Sequence, residues 1–491
     1  MLDAGSGKAK NNLNSIEKDG AGKHVSFPPD EEIVSGFAEF KGTQSGGGSP
    51  TVADIISAYE QSCEKHQVEP SLKAVEQIKL VASVGMRAGC LDLRGEQLDY
   101  CSCESLEDIL KFIQFDSINL QETELEENGA SSLLEMILYY ESACQLNISS
   151  NVHMGFAGWK ALAHLTRQSS CLWRLDACSM PMVEYPAQAL SKALLASRLT
   201  VLHLDGANLS GRPLFTLVGT LKQNAVLQEL SLASNGLNSY QDAMQLGDLL
   251  NSNRCLLLLD LSNNLLADEG LEEICAGLTS QQSGLRSLVL LNNQITHAGM
   301  VPLANVLPDL KTLESLKLDQ NQLQNEGVHI LKEALMRNRS ILVLGLADTQ
   351  ITCEGAVALA EFIAESPQIR HLDVRRNHIL CGGLMAISLA LRINHSLIAL
   401  DLDQTRKAEK EEFLIETQQR LLRSISDLCA EKKGKEQEKV KAEEEAEERE
   451  REGDREKEAE VEMEVKMEVE MEVDSGGGQR DESEALSTKS V

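Results

Sequence analysis

The sequence predicts an α/β solenoid, and three observations carry that expectation. A leucine pattern recurs along the chain at steps of 27 to 29 residues, in one unbroken phase. Each copy joins a segment of strand period to a segment of helix period. Aromatic residues make up only 3% of the 491 residues, so the core must be packed with small and medium aliphatics, as stacked repeats require.

The template is LxxLxLxxNxL. It reads Leu227, Leu230, Leu232, Asn235, Leu237 and again Leu256, Leu259, Leu261, Asn264, Leu266. Further copies centre on Leu288, Leu316, Leu344, Leu372 and Leu400, and weaker ones on Leu202, Leu175, Leu146, Ile118 and Leu91. The asparagine position is filled in order by Glu96, Thr123, Asn151, Met180, Ala207, Asn235, Asn264, Asn293, Asn321, Thr349, Asn377 and Thr405. That makes about 12 repeats.

Each part of a copy has a physical task. The LxL segment forms a short strand with its leucines inward and its intervening residues on the open face of the sheet. The asparagine amide turns inward and satisfies backbone groups of the adjoining turn. Threonine, alanine, methionine or glutamate in its place is expected to interrupt that ladder. Six residues later a glycine recurs (Gly129, Gly270, Gly299, Gly327, Gly355 and Gly383), where the returning helix starts close to its neighbour. Helical spacing follows, as in Leu271, Ile274, Cys275 and Leu278, or Val357, Ala360, Phe362 and Ile363. Strand plus helix in about 28 residues is the long, ribonuclease-inhibitor type of leucine-rich repeat. The expected solenoid is a horseshoe, with a parallel sheet on its concave side and helices outside.

Stacked repeats need covered ends. Val52, Ile55, Ile56, Tyr59 and Cys63, followed by Leu72, Val75 and Ile78, predict a helical cap over 51–85. The repeats then occupy 86–405. Leu414, Leu421, Leu422, Ile425 and Leu428 predict a capping helix over 406–430. Residues 1–50 are rich in Gly, Ser, Asn and Lys and read as a disordered arm. Residues 431–491 read as an acidic low-complexity tail, with Val and Met alternating against Glu and Lys over 461–473.

The net charge of -30 repels phosphate backbones and anionic lipid, so nucleic acid and membrane surfaces are poor partners. Neither a signal-peptide core near Met1 nor an apolar run of about 18 residues is present. The expected setting is therefore intracellular, cytoplasmic and/or nuclear. The sequons at Asn147 and Asn338 then have no glycosylation meaning. The twelve cysteines are scattered, and Cys90, Cys101 and Cys103 lack a second pair of ligands, so no metal and no cofactor is expected.

Lys23-His24-Val25-Ser26-Phe27, in the amino-terminal arm, is the most informative short segment. An extended peptide can add to a sheet edge with alternate side chains in pockets, which puts Val25 and Phe27 on one side. Pro28 keeps the segment extended. Burying the two anchors is worth roughly 1.5–3 kcal/mol each before ordering costs. Flanking contacts from Lys23 and from Ile33 and Val34 are needed to pass roughly micromolar affinity. Phosphate on Ser26, between the anchors, would oppose docking.

This segment is similar to the RVxF docking motif of protein phosphatase-1 regulators, with Ile33 and Val34 at the place of a second hydrophobic anchor. With the strings LNISSN, LSGRPL, CEGAVALAEFIAESP and GGLMAISLALRINHSL, the span of roughly 23–425 resembles the leucine-rich-repeat regulators of that phosphatase. The acidic tail is outside the resemblance. What it implies is binding to the phosphatase-1 catalytic subunit and inhibition of its complexes, through Lys23, Val25, Phe27, Ile33 and Val34. His24 is a departure, since the tightest form of the motif has the basic residue directly before valine. By family analogy the docking groove is remote from the metal centre, so inhibition needs the arm or the repeats to cover the substrate path.

A further protein partner on the concave face is a second expectation. Asp92, Asp176, Asp260, Asp373 and Asp401 form a stripe there, and His371, Arg375 and Arg376 form a basic cluster suited to a phosphate or carboxylate. The plainer reading of both is solvated repeat surface. No enzyme is expected: the Gly-Lys strings near Lys8 and Lys23 lack the phosphate-loop frame, and no Ser-His-Asp set has a nucleophile-elbow context. The alternative is a Ran-type GTPase-activating protein, which pairs repeats of this length with an acidic tail, or a general repeat adaptor.

Overall fold

The computed structural model describes residues 50–81, 85–279, 284–403, 411–439 and 441–442. The docking residues 23–34, Thr405 and the alternating stretch 461–473 lie outside them.

Twelve strands form one parallel sheet in chain order. They are β1 Ala88–Asp92, β2 Phe115–Asn119, β3 Ala143–Asn147, β4 Arg174–Asp176, β5 Val201–His203 and β6 Glu229–Ser231. Then come β7 Leu258–Asp260, β8 Ser287–Val289, β9 Ser315–Lys317, β10 Val343–Gly345, β11 His371–Asp373 and β12 Ala399–Asp401. The helices before and between them are α1 Val52–His66, α2 Leu72–Lys79, α3 Tyr100–Ser105, α4 Glu107–Phe112, α5 Glu127–Tyr139 and α6 Gly155–Gln168. They continue as α7 Glu184–Leu194, α8 Arg212–Leu221, α9 Tyr240–Ser252, α10 Ala267–Thr279, α11 Met300–Val306, α12 Gln324–Arg337, α13 Cys353–Glu365 and α14 Cys381–Ile393. This is the predicted leucine-rich-repeat solenoid.

Register follows the repeat. Leu230 pairs with Leu259, and the row runs on through Leu288, Leu316, Leu344, Leu372 and Leu400. All but the last are buried, each worth about 1.5–3 kcal/mol against exposure. A one-residue slip would turn the whole row to solvent, so the hydrophobic pattern sets the pairing.

The asparagine ladder has the expected direction. Asn264 Nδ2 donates to the carbonyls of Leu232 (2.9 Å) and Leu261 (3.0 Å), and its Oδ1 accepts from the amides of Asn235 (2.8 Å) and Leu237 (3.4 Å). The residue before it, Asn263, has φ 58°, and Ser234, Asn292 and Arg376 repeat that left-handed conformation at φ 57°, 51° and 58°. This twist turns the asparagine inward. Threonine interrupts the ladder on one side only. Thr349 Oγ1 still donates to Leu346 O at 2.7 Å and its amide to Asn377 Oδ1 at 3.0 Å, but its side chain makes none of the three bonds that Asn264 makes to the preceding repeat. Met180 and Ala207 do break it, and there the Met182 amide donates to the Ala207 carbonyl instead, at 2.8 Å.

A second ladder escaped the sequence reading. Asn224, Asn253, Asn338 and Asn394 are buried where helix returns to strand. Asn253 Nδ2 donates to Leu221 O at 2.7 Å, and its Oδ1 accepts from Cys255 and Leu256 amides at 2.9 Å each. Asn338 repeats this on Leu307 O, Ser340 N and Ile341 N, which closes its sequon to modification in the folded chain. The signal was present as an asparagine three residues before the first template leucine.

The recurring glycines sit where backbones crowd. A Cβ on Gly383 would lie 2.8 Å from Ala356 Cβ and from Ile379 Cγ2. Two helical expectations need correction. Val357 is 44% exposed, because the inward face of α13 is Gly355, Ala356, Leu359 and Ile363. Leu72 is 77% exposed at the first position of α2, whose packing comes from Ala74, Val75 and Ile78.

Both ends of the stack are covered. The Thr51–Asp54 capping box starts α1, which buries Ile55, Tyr59 and Cys63. Gln77 then stands in for a missing strand: its amide donates to Asp92 O at 2.8 Å and accepts from Asp92 N at 2.7 Å. At the other end a helix over 412–439 buries Ile425 and Cys429 and continues past residue 430, where the predicted cap ends.

Candidate functional site

The repeat places two side chains per strand on the open face of the sheet, on either side of the central leucine. Reading across neighbouring strands therefore assembles a surface from residues about 28 positions apart. Three zones result.

On β4 to β6 the surface is a charged network. His203 Nδ1 lies 2.8 Å from Asp176 Oδ1, and its Nε2 lies 2.9 Å from Glu229 Oε1. Arg174 Nε donates to Asp176 Oδ2 at 3.0 Å. Hydrogen bonding to Asp176, reinforced by Glu229, outweighs burial and raises the His203 pKa above its ordinary value. Burial opposes ionisation of Asp176, but the bonds from His203 and Arg174 prevail and lower its pKa. The sequence reading missed His203. Its signal was a histidine in the same strand column as Asp176, one repeat later.

The middle strands mix apolar and polar side chains, with Asp260, Ser287, Ser315 and Lys317 among them. Leu258, Val289 and Val343 stand half-buried or buried at strand positions, and Gly345 leaves the β10 surface without a side chain. A Cβ there would meet the Asp319 carboxylate. Burial, with the charge of Asp373 added, raises the Asp319 pKa even though the Ala347 amide donates to it at 2.8 Å.

On β10 to β12 charges return in pairs. His371 Nε2 lies 2.9 Å from Asp401 Oδ2, and Arg375 donates to Asp373 with Nη2 at 2.6 Å. Arg376 lies 3.8 Å from Asp348, and its amide donates to Asp403 at 2.7 Å. The predicted basic cluster is thus brought together, but each member already meets a carboxylate. The aspartate stripe is engaged too, with Asp92 3.5 Å from Arg94 and Asp260 accepting from the Ser262 amide at 2.8 Å. The ionic groups at both ends of the face are thus largely paired with one another.

Three thiols are held in the protonated form by their surroundings. Burial pushes the thiols of Cys103 and Cys275 up to about 12. Cys171 is also pushed up to about 12, by burial and by the Glu141 carboxylate that accepts its thiol at 2.9 Å. Among the described residues no group of three or more His, Cys, Asp or Glu side chains is gathered to hold a metal ion. No described helix is long and apolar enough to cross a membrane.

With the sheet and its surface in view, comparison with known proteins becomes informative. The family described as Leucine Rich repeat matches residues 252–275, which hold the end of α9, β7 and most of α10. A relative from Rattus norvegicus is 50% identical over 295 residues, and one from Bos taurus 46% over the same length; both are named protein phosphatase 1 regulatory subunit 37. This chain resembles that subunit. The alignments cover 60% of this chain and 42% of each relative, so the chain spans about two fifths of the length of the curated relatives it matches. The 295 aligned residues are fewer than the 23–425 span implied by the sequence strings. The ribonuclease inhibitor of Mus musculus is 30% identical over 249 residues, covering 43% of this chain and 54% of the inhibitor, in accord with the repeat type.

Proposed function

We propose that this protein is a non-catalytic, inhibitory regulatory subunit of protein phosphatase-1. The observation that carries this reading is the 46–50% identity to proteins named as regulatory subunit 37 of that phosphatase. The arm binds the catalytic subunit through Lys23, Val25 and Phe27, with Ile33 and Val34 as a second anchor, and Ser26 phosphorylation weakens the contact. The repeats offer a separate surface to another protein partner. The domains divide as read from the sequence, with arm, cap, repeats, capping helix and acidic tail in order, and the protein works in the cytoplasm and/or nucleus.

Purified catalytic subunit tests this directly. It should be retained by the wild-type chain and lost, by at least about tenfold in affinity, with Val25→Ala/Phe27→Ala. Equal retention would move the contact to the repeats and sink the motif. Absence of binding by both would leave a repeat adaptor, with stimulation of Ran GTPase as the next assay. Plain and Ser26-phosphorylated 20–36 peptides of equal affinity would remove the regulatory role of Ser26.

A further inference from the structure

A furrow of about 530 Å³ lies across helices α5, α6 and α7, apart from the open face of the sheet. Ala157, Ala161, Ala189 and Ala193 line it, and it exists because their side chains end at Cβ. The helices beneath are tightly set: a Cβ on Gly158 of α6 would lie 3.1 Å from Ala130 Cβ of α5. Tyr185 also lines the furrow and stacks on Phe156, with ring centroids 4.1 Å apart and planes at 25°. Phe156 remains 59% exposed, which leaves an apolar platform beside the alanines.

The rim has the opposite charge from the rest of the chain. Lys160, His164 and Lys192 are exposed there, and their side chains make no ion pair or hydrogen bond with another described residue. Glu135 of α5 lines the furrow as well. Helix α6 carries Lys160, His164 and Arg167 and no acidic residue. Helix α10, by contrast, carries Asp268, Glu269, Glu272 and Glu273 and no basic residue, as a net charge of -30 would lead one to expect. Lys160 and Lys192, set over an apolar lining, select an occupant that supplies both carboxylates and aliphatic side chains.

We propose that this furrow docks an acidic segment of a partner protein, in which leucine-like side chains are spaced among glutamates or aspartates. The aliphatic groups fill the alanine-lined space, and the carboxylates meet Lys160 and Lys192. The furrow shares no residue with the docking segment 23–34 or with the strand face, so a regulatory subunit can use it without giving up either.

The test is fluorescence anisotropy on the full chain with a labelled glutamate peptide of about twelve residues carrying two leucines, and an all-glutamate peptide of equal length as comparison. Saturable binding should weaken at least about tenfold in Lys160→Glu/Lys192→Glu, weaken with added salt, and fall severalfold for the all-glutamate peptide. Glu269→Lys/Glu272→Lys on α10 should leave affinity for the probe unchanged. Thermal unfolding of each variant checks that the solenoid is intact. Equal affinity of wild type and Lys160→Glu/Lys192→Glu, equal affinity for both peptides, or no saturation at millimolar probe overturns the proposal. A zero-length carboxyl–amine crosslink from Lys160 or Lys192 to the 443–472 glutamates of the same chain, formed without probe, also overturns it by making the chain its own occupant.

Discussion

The turns at Asn235, Asn264, Asn293 and Asn321 and the turns at Met180 and Ala207 occupy the same place in the repeat and are held by different physics. In the first group buried amides bridge consecutive repeats with uncharged hydrogen bonds. In the second the inner turn is apolar, one bridging bond passes to the backbone, and the same repeats are tied on their exposed side by Arg174, Asp176, His203 and Glu229. The difference teaches that the repeat constrains geometry more than chemistry. A buried turn is stable with its polar groups paired or with few polar groups to pair.

Breaking the amide ladder should have the largest effect. Asn264→Ala leaves the Asn235 and Leu237 amides and the Leu232 and Leu261 carbonyls each short of a partner. The expected loss is about 3 kcal/mol or more in urea unfolding. It should be independent of pH, because no titrating group takes part. A loss under about 1 kcal/mol would mean that water or backbone shifts replace the amide as easily as they do at Ala207.

Thr349→Val sharpens the same contrast at smaller scale. The hydroxyl bond to Leu346 O disappears, together with the longer contact to Asn377 Oδ1 at 3.4 Å, while the Thr349 amide keeps Asn377. About 1 kcal/mol should be lost in the same assay, which places threonine between asparagine and alanine. A cost matching Asn264→Ala would show that the hydroxyl, and not the two-way amide, holds this turn.

The smallest effect is confined to the ionic region. His203 has a raised pKa in the folded chain, first through Asp176 and also through Glu229, with burial and, more weakly, Arg174 opposing. Its stabilisation is therefore full below its unfolded pKa of about 6.5 and is lost as pH rises through the folded value. Urea midpoints of wild type and His203→Gln should converge on going from pH 6 to pH 9. A gap that stays constant, or widens with pH, would place the contribution in packing.

What could be read in the sequence had a short reach. The leucine row, the asparagine turns and the crowded glycines follow from periodicity, because a parallel stack repeats each local environment about 28 residues later. The phosphatase resemblance came from linear strings as well, and the docking residues it names lie outside the described structure. Other features were misjudged where local pattern and environment part, as with Val357, which fits a helical stripe yet faces solvent.

By itself the sequence determined the repeat, its register and the burial of nearly every template leucine, since hydrophobic periodicity leaves one way to stack such units. Only the tertiary structure decided which charges are already satisfied. His371, Arg375 and Arg376 read as a clamp until Asp401, Asp373 and Asp348 arrive from the same or adjoining strands. Lys160 and Lys192 carry no sequence signal, and only the packing of α6 and α7 sets them around an alanine-lined furrow. For His371 and Arg376 the partner stands a full repeat away, and that distance lies beyond any local pattern, whereas Arg375 meets an aspartate only two residues off.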